Sequence, residues 1–504
     1  MASREPVTQS DLGIEVNVDR RGQPEHRLVT IGDSLTHGFQ SGAIFNTDLS
    51  YPAMIARELG WYGSFRHPKY PGYGGIPLNL ELLVRVIEER FGDRVSGLEF
   101  PRALFHIRQH LAEAEDWWDE GPGSRPPPPG PINHNLGIYG WDLRDALERT
   151  ADTAHESKRT GLGQAIVPLV RNADKISAAR VLRSDDGRAL TPFEAAERLS
   201  RDGDGIETLI VFLGANNALG SVIGLRCSES GPGYDDLADK AAYTVWRPEH
   251  FAAEWKLVVE KVRSIRARHV IFGTVPHVTI VPAARGVGPK VAKGSRYFEH
   301  YTRPWIADKD FDPDQDEHLT ADQARKIDTA IDSYNQTIVD SVEAERRSGS
   351  DWRVLDIAAL LDRLASRRYI DDPHAQPPAW WTPYELPDAL RRLEPVPDSR
   401  FFVSGPGGRE SGGLFSLDGI HPTTIAYGLM AQEFIGVMEE AGVEFMRPDG
   451  VTPRPPGVEV DWAWILAHDT LISQPPRSLG SDVKLIGWLD EKLDFLKRLW
   501  AGAS

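Results

Sequence analysis

Cysteine is almost absent from this chain: Cys227 is the only one in 504 residues. No intrachain disulfide can form, so the fold does not depend on an oxidising compartment. A lone cysteine can be a nucleophile. Cys227, however, lies in the loop-like stretch Arg226-Cys227-Ser228-Glu229-Ser230 with no partner suggested nearby, and it reads as an incidental thiol. Long apolar runs are also missing, and no stretch approaches the roughly 20 residues that a membrane-spanning helix needs. Basic charge is in deficit, with 57 Lys and Arg against 74 Asp and Glu and a net charge of −17. Such a surface repels phosphate backbones and anionic bilayers, which argues against nucleic acid as a partner and against simple electrostatic docking on membranes. The segment from Met1 to Asp19 lacks the basic start and apolar stretch of a secretory signal, which points to the cytoplasm. A secreted chain relieved of its signal would read the same way.

What is present is a regular alternation of short apolar runs and helical patterns, the pattern of an α/β fold around a parallel sheet. The runs are continuous rather than alternating, as expected for strands covered on both faces. Candidate strands are Arg27–Ile31, His134–Ile138, Thr208–Leu213, Val270–Val275 and Arg353–Ile357. Candidate helices are Pro52–Leu59, Trp141–Thr150, Glu249–Arg266 and Thr423–Ala441. Another opens at the capping-box pattern Thr320-Ala321-Asp322-Gln323, with Ile327, Ile331, Tyr334 and Ile338 on its buried face. Residues 1–25 form an N-terminal arm and 26–442 the main domain. Two segments inside it look inserted, at about 61–131 and about 362–414; the first contains a helical stretch, Leu80–Phe91, and ends in polyproline. A Pro-rich linker and a C-terminal helical extension fill 443–504. There Leu485, Leu489, Leu493, Leu496 and Trp500 form one apolar stripe, expected to pack on the main domain, with a weak membrane-surface or oligomer contact as the alternative.

The chemistry begins with Gly32-Asp33-Ser34-Leu35, directly after the first strand. Gly32 permits the sharp turn that would hold the Ser34 hydroxyl at the sheet edge. A nucleophilic serine needs a neutral imidazole to take its proton and a carboxylate to fix that ring. Asp418-Gly419-Ile420-His421-Pro422 offers both at a spacing a tight turn can close, with Pro422 expected to begin the following helix. Donors for a developing oxyanion are available at three points: the backbone N–H of Ser34, the N–H of Gly140 at the end of Asn135–Gly140, and the side-chain amide of Asn216 in Gly214-Ala215-Asn216-Asn217.

These four blocks, in this order and each at a strand end, resemble the GDSL/SGNH hydrolase superfamily, whose Ser, Gly, Asn and His correspond here to Ser34, Gly140, Asn216 and His421. The resemblance covers the scaffold from about Arg27 to Gly442. It implies a three-layer α/β/α sandwich with a flavodoxin-like parallel sheet, no metal and no organic cofactor. It also implies ester hydrolysis through an acyl-enzyme on Ser34, with Asp418 and His421 completing the triad. One departure is Asn217, which stands where the family usually has an acid. The expected substrate is a small-molecule or lipid-like ester. Rival readings are an acyltransferase using the same triad, a thioesterase or phospholipase on the same scaffold, and a binding protein that has lost catalysis.

Five further residues are candidates to line the cleft: Asp33, Leu35, His37, Asn217, and His277, which follows a strand end, where α/β sheets bind ligands. Asp312-Pro313-Asp314-Gln315-Asp316 imitates the start of a calcium loop but lacks its glycine and its terminal glutamate, so it reads as a solvated acidic turn. The pairs Trp117-Trp118 and Trp380-Trp381 read as aromatics buried under the insertions rather than substrate platforms. The sequon Asn335-Gln336-Thr337 falls in mid-helix and is discounted as a glycosylation site.

Overall fold

The computed structural model describes residues 4–19, 21–96, 98–154 and 170–479. Its centre is a parallel sheet of five strands: β1 (His26–Gly32), β2 (Asn135–Gly137), β3 (Ile206–Phe212), β4 (Ala267–Gly273) and β5 (Trp352–Leu355), in the spatial order 2-1-3-4-5. Leu28, Val29 and Ile31 of β1 and Leu209, Ile210 and Val211 of β3 are fully buried. Each such side chain contributes roughly 1.5–3 kcal/mol of hydrophobic stabilisation. The order switches direction between β1 and β3, and in sheets of this kind the crevice at the carboxyl ends of the two switch-point strands is the place for a ligand.

Helices flank the sheet in two packed groups. Tyr51–Glu58 and Thr424–Glu440 form one; Pro192–Asp202, Pro248–Ser264 and Ala321–Arg347 form the other, and each group touches the sheet. Thr320 and Gln323 exchange the two bonds of a capping box, and Ile327, Ile331, Tyr334 and Ile338 are buried on the helix that follows. Two strands end two residues earlier than their apolar runs. Thr274 and Val275 leave the sheet because Asn335 grips the Val275 backbone from both sides, accepting its N–H at 2.7 Å and donating to its carbonyl at 2.9 Å. That use of its amide also places Asn335 in the interior rather than at a glycosylation surface. Ile357 starts a helix instead of ending β5, because Asp356 caps it by accepting from the Ala359 N–H.

The arm before β1 runs beside the outer edge of β5. The Val354 N–H donates to the Ser10 carbonyl, Arg353 and Glu440 hold the Ser10 hydroxyl, and Arg346 donates to the Ile14 carbonyl. Covering an otherwise open strand edge protects it from pairing with other chains. Of the two segments read as inserted, the first contributes helices Leu80–Phe91 and Phe100–Glu115. Leu83, Val84, Ile87 and Leu111 form a small core of their own with Phe402 from the second insertion, Leu471 from the C-terminal segment and Leu417. The two insertions and the tail thus meet beside the loop that carries Asp418. The Pro-rich stretch after Pro448 is not a free spacer: Arg447 and Arg454 return to the chain through backbone bonds to Thr452 and Phe445, and Val458, Val460, Trp462 and Ile465 join the main core. The stripe from Leu485 to Trp500 lies outside the described residues. Among the described residues, no helix is long and apolar enough to cross a membrane.

Candidate active site

The carboxyl ends of β1, β2 and β3 lie side by side, and each releases one block of the site. Past β1, Asp33 caps the single-turn helix Ser34–His37, its side chain accepting from the Leu35 N–H at 3.0 Å. Gly38 closes that turn at φ +93°, donating to the Ser34 carbonyl. Gly32 has a different role from the one its sequence position suggests. Its φ is not in the left-handed region; a Cβ there would lie 2.0 Å from Thr36 Oγ1 and 2.8 Å from the Phe212 carbonyl. The glycine is needed for close approach of the Ser34 turn to the strand rather than for an unusual backbone angle.

His421 and Asp418 arrive from the loop before helix Thr424–Glu440. A tight turn closes there, with the Ser416 N–H on the His421 carbonyl at 2.8 Å and Gly419 at φ +68°. Pro422 does not begin the helix; it pairs with Phe415 across this turn, and Thr423 is the cap. The turn sets His421 Nδ1 3.0 Å from Asp418 Oδ2 and His421 Nε2 2.9 Å from Ser34 Oγ. With Nδ1–H donating to the carboxylate, Nε2 is left to accept the serine proton. Phe39 covers one face of the imidazole at a centroid distance of 4.3 Å. Ser34 is 5 % and His421 8 % exposed, so these polar contacts act in an environment from which most water is excluded.

Asp418 is held from all sides. Oδ1 accepts from the N–H groups of Ile420 (2.8 Å) and His421 (2.9 Å), and Oδ2 accepts from the N–H of Gly42 at 2.9 Å. Burial opposes its charge, but His421 and these bonds outweigh burial and hold the carboxyl below its usual range. The supporting loop is itself unusual: Ser41 at φ +51° and Gly42 at φ +81° turn consecutive N–H groups toward Ser416 and Asp418. Such a concavity of backbone amides suits an anion. The sequence contained a signal for it, a Ser-Gly dipeptide shortly after the nucleophile block, which marks a turn.

Of the three candidate oxyanion donors, the N–H of Ser34 opens its short helix. Gly140 adopts φ +77°, a conformation that favours glycine. Among the described residues, neither of these N–H groups is engaged by a protein acceptor. Asn216 opens helix Asn216–Ile223 past β3; its side-chain amide donates one proton to the Trp141 carbonyl at 2.9 Å, which orients the group and, among the described residues, leaves its second proton without a protein acceptor. The preceding Gly214, at φ +114°, lies where a Cβ would strike Val275 at 2.8 Å.

The five cleft candidates separate. Asp33 is buried beside Ser34, and burial pushes its carboxyl up to about 7 against the opposing pull of the Leu35 N–H and His421. Leu35 is half-buried. Asn217 is buried and props the neighbouring loop, its Oδ1 accepting from the Leu143 N–H at 3.3 Å. His37 does not line an open cleft: its Nε2 meets the Tyr70 hydroxyl at 2.9 Å, its Nδ1 accepts from the Tyr139 N–H at 3.3 Å, and burial lowers it to about 3, leaving it neutral. His277 is also enclosed, between Asp362 (3.1 Å) and Asp332 (3.2 Å) with Arg368 alongside. Trp118 is buried in a cluster with Tyr139, Phe39 and Tyr70 and so anchors the first insertion near the imidazole. Trp381 donates to the Asp362 carbonyl at 2.9 Å. Cys227 is half-buried, and its thiol is pushed up by that burial, which makes it a poor nucleophile.

Searches with the whole chain found no matching protein-family profile and no matching curated protein.

Proposed function

We propose that the chain is a serine ester hydrolase of the GDSL/SGNH type. On this reading the sheet and its flanking helices are that superfamily's three-layer α/β/α sandwich with flavodoxin-like strand order, carrying the insertions at 61–131 and 362–414. The observation that carries the reading is the continuous line from Asp418 Oδ2 to His421 Nδ1 (3.0 Å) and from His421 Nε2 to Ser34 Oγ (2.9 Å). A hydroxyl so placed can lose its proton to the imidazole as it attacks, which is the requirement for an activated nucleophile.

Ser34 Oγ attacks the ester carbonyl carbon while its proton passes to His421 Nε2. The imidazolium that forms faces the Asp418 carboxylate, which keeps its own charge. The negative oxygen of the tetrahedral intermediate is received by the N–H groups of Ser34 and Gly140 and the Asn216 amide. His421 then gives the proton to the departing alcohol, leaving an acyl group on Ser34. Water attacks that acyl group, His421 takes its proton, and collapse returns the proton to Ser34 Oγ as the acid leaves.

The test is turnover of a short p-nitrophenyl ester by the wild-type chain and by Ser34→Ala. The wild type turns over, and the variant, folded by circular dichroism, loses on the order of 10⁶ in kcat, as when other triad serines are removed. Full activity in Ser34→Ala overturns the assignment.

A further inference from the structure

The two external oxyanion donors, Gly140 and Asn216, lie past the carboxyl ends of separate strands, β2 and β3, and a third segment ties them together. Between helices Asn216–Ile223 and Pro248–Ser264 the chain makes an excursion from Gly224 to Arg247. It is closed at its base by the Trp246 N–H on the Asn217 carbonyl at 2.8 Å, and internally by bonds between Ser228 and Thr244 and from Ser230 to Val245. Its short helix Lys240–Ala242 sends the Lys240 side chain, 4 % exposed, into the protein. There Nζ donates to Asp142 Oδ2 at 2.6 Å and to Asp145 Oδ2 at 2.8 Å.

Those two carboxylates are the reciprocal capping box of helix Leu143–Glu148. Asp142 Oδ1 accepts from the Asp145 N–H, and Asp145 Oδ2 accepts from the Asp142 N–H, both at 3.1 Å. Asp142 stands two residues after Gly140 and directly follows Trp141, whose carbonyl orients Asn216. An aspartate at both positions of a buried capping box places two like charges side by side, which disfavours the ionised pair. Two cations answer them: Arg149 Nε reaches Asp145 Oδ1 at 2.6 Å, and Lys240 bridges both acids. Arg144, the other nearby cation, faces away, held by Glu254 at 3.0 Å and Glu148 at 2.7 Å. Burial and the charge of Asp145 push the Asp142 carboxyl up. Burial also opposes the charge of Asp145, but Lys240 and Arg149 outweigh it and hold that carboxyl down.

We propose that Lys240 is a positioning residue for the oxyanion donors: its ammonium locks the Asp142–Asp145 capping box and so fixes the Gly140–Leu143 turn against Asn216. This rests on the hydrolase reading for its catalytic consequence, though not for its structural one. Asn217 fits the same arrangement, since it already receives the Leu143 N–H and a third acid there would add a charge that Lys240 and Arg149 do not balance.

The experiment compares wild type, Lys240→Met and the double variant Lys240→Met/Asp142→Asn. Two readouts are used: kcat and KM on a short p-nitrophenyl ester, and hydrogen exchange of the amides from Gly140 to Asp145. Lys240→Met is expected to lose about 10- to 100-fold in kcat, the scale of a displacement of roughly an ångström in a catalytic group, with little change in KM. Its amides exchange faster. The double variant restores the charge balance while keeping a capping side chain, and it recovers most of both losses; a role for Lys240 in packing alone predicts no such recovery. Wild-type kcat and exchange in Lys240→Met, or a double variant no better than the single one, overturns the proposal. If Lys240→Met fails to fold, recovery of folding in the double variant is the supporting result and its continued failure the contrary one. A wild type with no ester turnover contradicts the hydrolase reading, and the exchange comparison then decides on Lys240 by itself.

Discussion

Two histidines near the carboxyl edge of the sheet each present Nδ1 to an aspartate. His421 meets Asp418 at 3.0 Å and His277 meets Asp362 at 3.1 Å, and both rings are buried. They differ at the other nitrogen. His421 Nε2 faces the Ser34 hydroxyl, whereas His277 Nε2 faces a second carboxylate, Asp332, at 3.2 Å. Burial alone would lower His277, but Asp362, Asp328 and Asp332 outweigh it and raise the ring to about 9. It is an imidazolium through the neutral range and has no lone pair to offer. Arg368 completes the group, bridging Asp362 (2.8 Å) and Asp328 (2.6 Å). An aspartate–histidine pair therefore does not by itself make a base: the further carboxylates around His277 hold it as a cation, whereas His421 Nε2 faces a neutral hydroxyl.

The same change made in both pairs should separate the two histidines. Asp418→Asn should lower ester kcat by about 10⁴-fold, since the ring loses its tautomer control. Asp362→Asn should leave kcat at the wild-type level but cost about 3–5 kcal/mol of stability in urea unfolding, because it strands His277 and Arg368 without their shared acid. Equal losses of activity in the two variants would erase the distinction. Next in size, Asn216→Ala should raise the barrier by about 2.7–4 kcal/mol, expressed in kcat. An unchanged rate would remove the amide from the oxyanion site.

The third prediction uses pH. A histidine whose folded value, about 9, lies above its unfolded value of roughly 6.5 makes the native state bind more protons between those limits, so stability falls as pH rises. The contribution is fully present below about pH 6.5 and is lost through about pH 9, on the order of 3 kcal/mol over that window. Urea titrations at pH 6 and pH 9.5 should show this fall in the wild type and a smaller one in His277→Gln. Equal slopes would mean that His277 is not held as a cation. The smallest effect is expected at Cys227, where Ser should change stability by less than about 0.5 kcal/mol and leave kcat unaltered. A large loss of activity would instead give the thiol a role.

Much of this was legible in the sequence because it is local. Strand runs and amphipathic helices leave their periods in consecutive residues, and the four blocks keep their order whatever separates them. Leu80–Phe91 and the Thr320 capping box were visible for the same reason. What escaped depends on residues distant in the chain. Nothing around Gly42 announces that its N–H will meet Asp418. Nothing around Lys240 announces two aspartates nearly a hundred positions earlier. His277 illustrates the same limit: its place after a strand end suggested a cleft, while Asp332 and Asp362, which enclose it, come from later helices. Gly32 reads as a turn residue from its sequence, but the reason it is needed, contact with Thr36 and the Phe212 carbonyl, exists only once the strands are paired.

On the proposed function, Ser34, among all the hydroxyls of the chain, is activated by His421. Reaction of the native chain with a fluorophosphonate, followed by peptide mass spectrometry, tests it most directly. The expected result is a single phosphonyl adduct on Ser34, formed rapidly in the wild type and slowed by orders of magnitude in His421→Ala. Absence of any adduct, an adduct on another residue, or labelling of Ser34 that is indifferent to His421 would contradict it.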